Sequence, residues 1–79
     1  MILDPLIIRN ELDRLGVEEP IVSIGGSEAN GQELLIGGKW GGQMKFKTFT
    51  PHDLRTISKT SIPVEHLMTL IQSWMWAQG

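Results

Sequence analysis

The residues most capable of chemistry in this chain are two histidines, each next to a carboxylate in sequence. His52 precedes Asp53, and His66 follows Glu65. Imidazole and carboxylate groups act as general acids and bases, or as metal ligands, when they converge on one point. Adjacent residues on a helix point in different directions, so neither pair is expected to form a dyad. Two histidines without further ligands do not predict a metal site.

Other catalytic and cofactor motifs are missing from the sequence. The chain has no cysteine, which excludes disulfides, thiolate zinc sites and cysteine nucleophiles. Gly26 and Gly31 have the spacing of a phosphate-binding loop, but Gln32 and Glu33 stand where that loop needs lysine and a hydroxyl residue. A chain of 79 residues also has little material for a concave pocket. The sequence therefore predicts a protein that is not an enzyme and that holds no cofactor and no metal. A small enzyme acting through His52 or His66 is a minor alternative.

Length and composition predict one small globular domain over residues 1–79. A hydrophobic content of 41% and a charged content of 20% argue against disorder. No apolar stretch reaches the roughly 20 residues needed to cross a bilayer. Residues 1–3 meet Asp4 and Pro5 at once, without a basic segment, so no signal peptide is predicted. We expect a cytoplasmic protein without a membrane partner.

Three segments have helical patterns. Asp4 is a good N-cap for a helix over residues 5–15, which Gly16 should end. Thr50 should cap a short helix, with Asp53 completing a capping-box variant. The third helix is predicted from Pro63 to Ala77 because its apolar residues occupy one broad arc. These residues are Val64, Leu67, Met68, Leu70, Ile71, Trp74 and Met75.

Three strands are predicted between the first and second helices, at residues 21–24, 32–36 and 43–49. Asn30-Gly31 predicts a type I′ hairpin turn, and the glycine-rich segment 37–42 predicts the second turn. Gly25-Gly26 indicates a bulge or a frayed strand end.

The third strand alternates between two kinds of side chain. Met44, Phe46 and Thr48 alternate with Lys45 and Lys47, which predicts a buried face for the first set and a solvated face for the lysines. The predicted fold class is α+β: a three-stranded antiparallel meander with the N-terminal and C-terminal helices packed on one face, plus a short helix after strand 3. The other face is then partly exposed or covered by a partner.

Charge is distributed unevenly along the chain. Residues 1–38 carry a net charge of −5 and residues 39–59 a net charge of +4. Such asymmetry can mark a basic binding face, although the two halves can equally lie side by side and neutralise each other. The basic residues are Lys39, Lys45, Lys47, Arg55 and Lys59, and the acids of the first half include Glu18 and Glu19.

Two tryptophans are candidate contacts for a partner. Trp40 lies between two glycine pairs, and Trp76 falls among the polar residues of the last helix. Trp is enriched at interface hot spots, but large aromatics are also usually buried. Either tryptophan can therefore be an anchor or part of the core. The candidate partner-binding set is Trp40, Lys39, Lys45, Lys47, Arg55, Trp76, Glu18 and Glu19.

The leading functional hypothesis is a non-enzymatic protein, monomeric or weakly dimeric, that sterically occupies a surface of another protein or ribonucleoprotein complex. Small stand-alone domains of this class include phage-encoded inhibitors of host defence such as anti-CRISPR proteins, and that choice comes from the class rather than from any residue. The alternative is a nucleic-acid-binding module that uses Trp40 with Lys45, Lys47 and Arg55. The acidic pI of about 5.5 favours the protein partner.

Overall fold

The computed structural model describes residues 3–27, 29 and 31–78. Three helices and a three-stranded antiparallel sheet make up this part of the chain, which confirms the predicted α+β meander. The sheet order is β1-β2-β3, so β2 is the central strand. In chain order the elements are α1 (Pro5–Arg14), β1 (Glu18–Ser27), β2 (Gly31–Trp40), β3 (Gln43–Phe49), α2 (Pro51–Ser58) and α3 (Pro63–Gln78).

The starts of α1 and α2 follow the predicted capping chemistry. The Leu6 backbone N–H donates to Asp4 Oδ1 at 2.9 Å, and α1 ends before Gly16, whose φ is +93°. At α2, the Asp53 backbone N–H donates to Thr50 Oγ1 at 3.1 Å, and the Thr50 backbone N–H donates to Asp53 Oδ2 at 3.0 Å. Each cap satisfies backbone N–H groups that the first helical turn leaves without an intrahelical partner.

The turn between β2 and β3 is shorter than the sequence indicated. Both strands extend to a two-residue loop, Gly41-Gly42, between the paired residues Trp40 and Gln43. The φ angles of the two glycines are +63° and +80°, the combination that a type I′ turn requires. The first hairpin closes at the pair Ser27–Gly31, so Gly31 belongs to β2; Asn30 lies outside the described residues.

The irregularity in β1 lies at the opposite end of the strand from the one predicted. Gly25 and Gly26 pair in regular register with Glu33 and Gln32, so the bulge or frayed strand end predicted there is wrong. The register shifts instead between Glu18 and Ile21. Within this bulge Glu19 has a φ of +51°, a conformation that non-glycine residues rarely adopt.

One apolar core joins a single face of the sheet to the helices. Its fully buried side chains come from α1 (Ile8, Leu12), β2 (Leu34, Ile36) and α3 (Leu67, Ile71), together with Val17, Phe49, Leu54, Ile57 and Met75. Glu11 adds a polar link between helices, because Gln72 Nε2 of α3 donates to its Oε1 at 3.0 Å. Arg14 also donates to Glu11, from Nε at 3.0 Å and from Nη2.

The predicted faces of β3 are inverted in the structure. Phe49 pairs with Leu34 and is 4% exposed, so it faces the helices. Residues of a strand alternate between faces, which places Lys45 and Lys47 on the same side as Phe49. Phe46 is 53% exposed and Met44 is 48% exposed on the other side. The expectation that Met44 and Phe46 are buried is therefore wrong.

Candidate functional site

The face of the sheet that points away from the helices, here called the open face, carries exposed apolar side chains. Ile21, Gly37 and Phe46 form one row across the three strands, and Lys39 pairs with Met44 in the next row. Ile21 is 39% exposed, beside the more exposed Met44 and Phe46. Contiguous exposed apolar patches mark interaction surfaces in many proteins, which makes this face a candidate site.

The Phe46 ring occupies the space that is left on β2 because Gly37 has no side chain. A Cβ atom added to Gly37 would lie 2.3 Å from Phe46 Cδ1 and 2.8 Å from the Lys45 carbonyl oxygen. The ring therefore packs directly against the backbone of β2, between the flanking strands. The other side of the ring faces solvent. The contact with the β2 backbone therefore fixes the position of an exposed aromatic group.

The open face continues around the edge of β1 towards α1. Ile21 also lines a groove between these two elements, together with Leu6 and Pro20. Leu6 itself is exposed. The apolar surface thus extends from Met44 and Phe46 to the first turn of α1.

Charged residues border the open face. Lys39 pairs with Glu18 on β1 as well as with Met44 on β3, and Glu33 pairs with Gly25 at the far end. Glu18, Glu19 and Lys39 are exposed. A polar rim around an apolar centre is the composition found at protein interfaces. Of the predicted contact residues, Lys39 and Glu18 therefore lie beside this apolar surface.

Trp40 is on the helix-facing side of the sheet. It is half-buried and packs against the core, and Lys45 Nζ lies 4.7 Å from the centroid of its ring. This position matches the interpretation of Trp40 as a residue that completes a small core. A partner that stacks on Trp40 would have to displace the lysine ammonium.

The basic residues of the second half do not form one patch on the sheet. Lys45 and Lys47 lie on the helix-facing side, with Lys47 Nζ 5.7 Å from the centroid of the Phe49 ring. Lys39 lies on the open face, and Arg55 is an exposed residue of α2. The sheet thus divides the cations predicted to act together.

Trp76 is the most exposed of the large apolar residues described, at 73%. It lies on α3, whereas Trp74 is half-buried against the core. The helical pattern therefore predicts correctly that Trp74 lies on the apolar side of α3 and Trp76 on its polar side. Trp76 is available to a partner, but it lies apart from the row of Ile21 and Phe46 on the sheet.

The two histidines lie on the same groove, although they belong to different helices. His52 and His66 both line a groove between β3, α2 and α3. Among the described residues there is no group of three or more potential metal ligands. Asp53, also on this groove, has a pKa below its ordinary value because the Thr50 backbone N–H donates to its carboxylate.

No protein-family model, curated protein or solved structure matches the chain. Within the described residues, no helix is both long and apolar enough to cross a membrane.

The sequence contained one signal that could have located the open face. Gly37 directly follows the apolar run Leu34-Leu35-Ile36, a pattern that predicts a buried central strand. A glycine inside a strand often marks the close approach of a neighbouring group. Here that group is the ring of Phe46.

Proposed function

We propose that this protein is a non-enzymatic binding domain that attaches to another protein through its open face. The observation that carries the proposal is the exposed apolar row of Ile21 and Phe46, with Met44 beside it, on a sheet face that the helices leave uncovered. Burial of these side chains on a partner would release free energy in proportion to the apolar area removed from water.

The composition of the surface supports a protein partner. Aromatic residues and methionine are enriched at protein interfaces, and charged residues are depleted from their centres. Phe46 and Met44 supply the central groups, while Lys39, Glu18 and Glu33 border them. Because both signs of charge are present at the rim, the rim can set orientation without favouring a polyanion.

The mode of action that follows is steric. A domain of this size that covers a functional surface of a larger assembly prevents other molecules from reaching it. An inhibitor of host defence of the anti-CRISPR type would act in this way. The identity of the captured partner decides between such an inhibitor and an adaptor or assembly factor.

The test is affinity capture with variants of two exposed aromatic residues, one on the open face and one on α3. Tagged wild type, Phe46→Ala and Trp76→Ala would be incubated with nuclease-treated bacterial lysate, and the bound proteins quantified by mass spectrometry. We expect a defined partner that Trp76→Ala retains and Phe46→Ala loses, since a central hot-spot residue contributes about 2 kcal/mol or more. Loss on Trp76→Ala with retention on Phe46→Ala would move the interface to α3 and refute the proposal.

Self-association is distinguished in the same set of variants. If a second copy occupies the open face, the mass in solution measured by light scattering will fall from dimer to monomer in Phe46→Ala. A wild type that is monomeric at high concentration leaves the face available for another protein.

A second candidate function, nucleic-acid binding, is favoured by the shared face of Trp40, Lys45 and Lys47. Its signature is a linear fall of log K with log salt that reflects the number of phosphates neutralised. Lys45→Gln and Lys47→Gln should each reduce that slope by about one phosphate. Absence of binding to labelled single or double strands at low salt would exclude this function.

A further inference from the structure

The groove shared by the two histidines is of the size that small molecules occupy. Its volume is about 580 Å³, and it lies between β3, α2 and α3. Ligand pockets in proteins usually enclose about 300–1,000 Å³. The sequence had predicted too little material for a concavity, but the packing of α3 across the end of β3 and alongside α2 creates one.

The inner surface of the groove is apolar. Phe49 and Ile57 are buried core residues, and Leu70 and Trp74 are half-buried beside them. Trp74 offers an aromatic side chain, and Leu70 offers aliphatic surface. This combination suits the hydrophobic body of a ligand.

The rim of the groove carries one ammonium group and two imidazoles, whose N–H groups can donate to an anion. Lys47 comes from β3, His52 from α2 and His66 from α3. The carboxylate on the same rim is Asp53, which already accepts the backbone N–H of Thr50. Lys47 Nζ lies 5.7 Å from the Phe49 ring centroid, so its ammonium sits over the apolar floor. An anionic group is the ligand chemistry that the donors of Lys47, His52 and His66 complement.

We propose that the groove between β3, α2 and α3 binds a small organic anion, with its apolar body against Trp74 and Leu70 and its charged group near Lys47, His52 and His66. The site is independent of the open face, because Lys47 and Phe46 project from opposite sides of β3. The protein would then respond to a metabolite-sized molecule as well as to a protein partner.

The test uses a matched pair of fluorescent probes. 8-Anilinonaphthalene-1-sulfonate (ANS) is an aromatic anion, and N-phenyl-1-naphthylamine has the same rings without the sulfonate. Each would be titrated into isotope-labelled protein and followed by fluorescence and by backbone amide chemical shifts. We expect ANS to shift the amides of groove residues such as His52, Thr56 and Ser73 and to leave those of Ile21 and Phe46 unchanged.

The charge of the rim is tested with Lys47→Gln, a change at an exposed side chain. It should weaken ANS binding by about threefold or more and change binding of the neutral probe by less than about twofold, because it removes the one ammonium group and only part of an aliphatic stem. Phe46→Ala is the matched control on the other side of the strand and should leave ANS affinity unchanged.

Three results would overturn the proposal: no ANS binding, ANS shifts centred on the open face and abolished by Phe46→Ala, or equal weakening of both probes by Lys47→Gln. A dispersed amide spectrum in each variant shows that the fold is intact. Failure of this site would not bear on the protein-binding role of the open face, since that role is tested by protein capture and the groove by probe binding.

Discussion

The two phenylalanines of β3 give a direct test of which sheet face is covered. Phe46 and Phe49 lie three residues apart on one strand, but Phe49 is 4% exposed and Phe46 is 53% exposed. We predict that Phe49→Ala destabilises the protein several times more than Phe46→Ala does. Both substitutions remove the same atoms, so the difference reports the environment alone.

The magnitudes follow from burial. Complete burial of a phenylalanine side chain contributes about 1.5–3 kcal/mol, and truncation within a core adds a cavity term that brings the cost to about 3–5 kcal/mol. Slightly less than half of Phe46 is buried, mainly against Gly37, and its outer side faces water. Truncation there leaves no enclosed cavity, so we expect a loss of about 1 kcal/mol.

The assay is urea unfolding followed by circular dichroism. A domain of this size has a total stability of roughly 4–12 kcal/mol, so Phe49→Ala can fail to fold, and Phe49→Leu is then the milder variant to compare with Phe46→Leu. The reasoning is refuted if the Phe46 variant loses as much stability as the Phe49 variant. Equal losses would mean that Phe46 is as well buried as Phe49, and a larger loss in the Phe46 variant would mean that the even-numbered residues of β3 face the core.

Two further predictions concern the ends of β1 and α1. Glu19→Gly should be more stable than its neighbour control Glu18→Gly by about 1–2 kcal/mol in urea unfolding, because only Glu19 has a positive φ among the non-glycine residues described; equal stabilities would contradict the strain at the bulge. Arg14, and then Gln72, donate hydrogen bonds that lower the pKa of Glu11, whose side chain is 17% exposed. The stabilisation by ionised Glu11 is therefore complete above its ordinary pKa of 4.5 and is lost as the pH falls below that value, so wild type should lose more stability between about pH 7 and pH 3 than Glu11→Gln does. Parallel pH profiles would show that the Glu11 contacts do not form in solution.

The element order and the helix ends were predictable because they depend on local chemistry. A hydroxyl or carboxylate cap followed by proline can be recognised in the sequence because the cap and the N–H group that it accepts lie within one helical turn. Asp4 and Thr50 both cap the helices that the sequence predicts. The buried side of α3 was predictable for the same reason, because the spacing of Leu67, Ile71 and Met75 places them on one side of a helix.

The faces of β3 were not predictable from its alternation, because both sides of the strand carry large groups. Met44 and Phe46 form one apolar set, but Phe49 belongs to the opposite set with Lys45 and Lys47. Lysine is tolerated there because its aliphatic stem can lie along apolar surface while the ammonium remains near solvent, as at the rings of Trp40 and Phe49. The groove likewise depends on tertiary contacts, which bring His52 and His66 to one cavity from separate helices.

Both proposed surfaces depend on the register of β3, and the short turn before it fixes that register. A slip of one residue along an antiparallel partner moves every side chain to the other face. It would turn Phe46 towards the helices and carry Lys47 out of the groove, so the open face and the anion site would be lost together. The type I′ turn at Gly41-Gly42 pairs Trp40 with Gln43, and each later pair up to Leu34–Phe49 follows from it. Gly41 and Gly42, which belong to neither surface, therefore determine which residues of β3 face the partner and which face the groove.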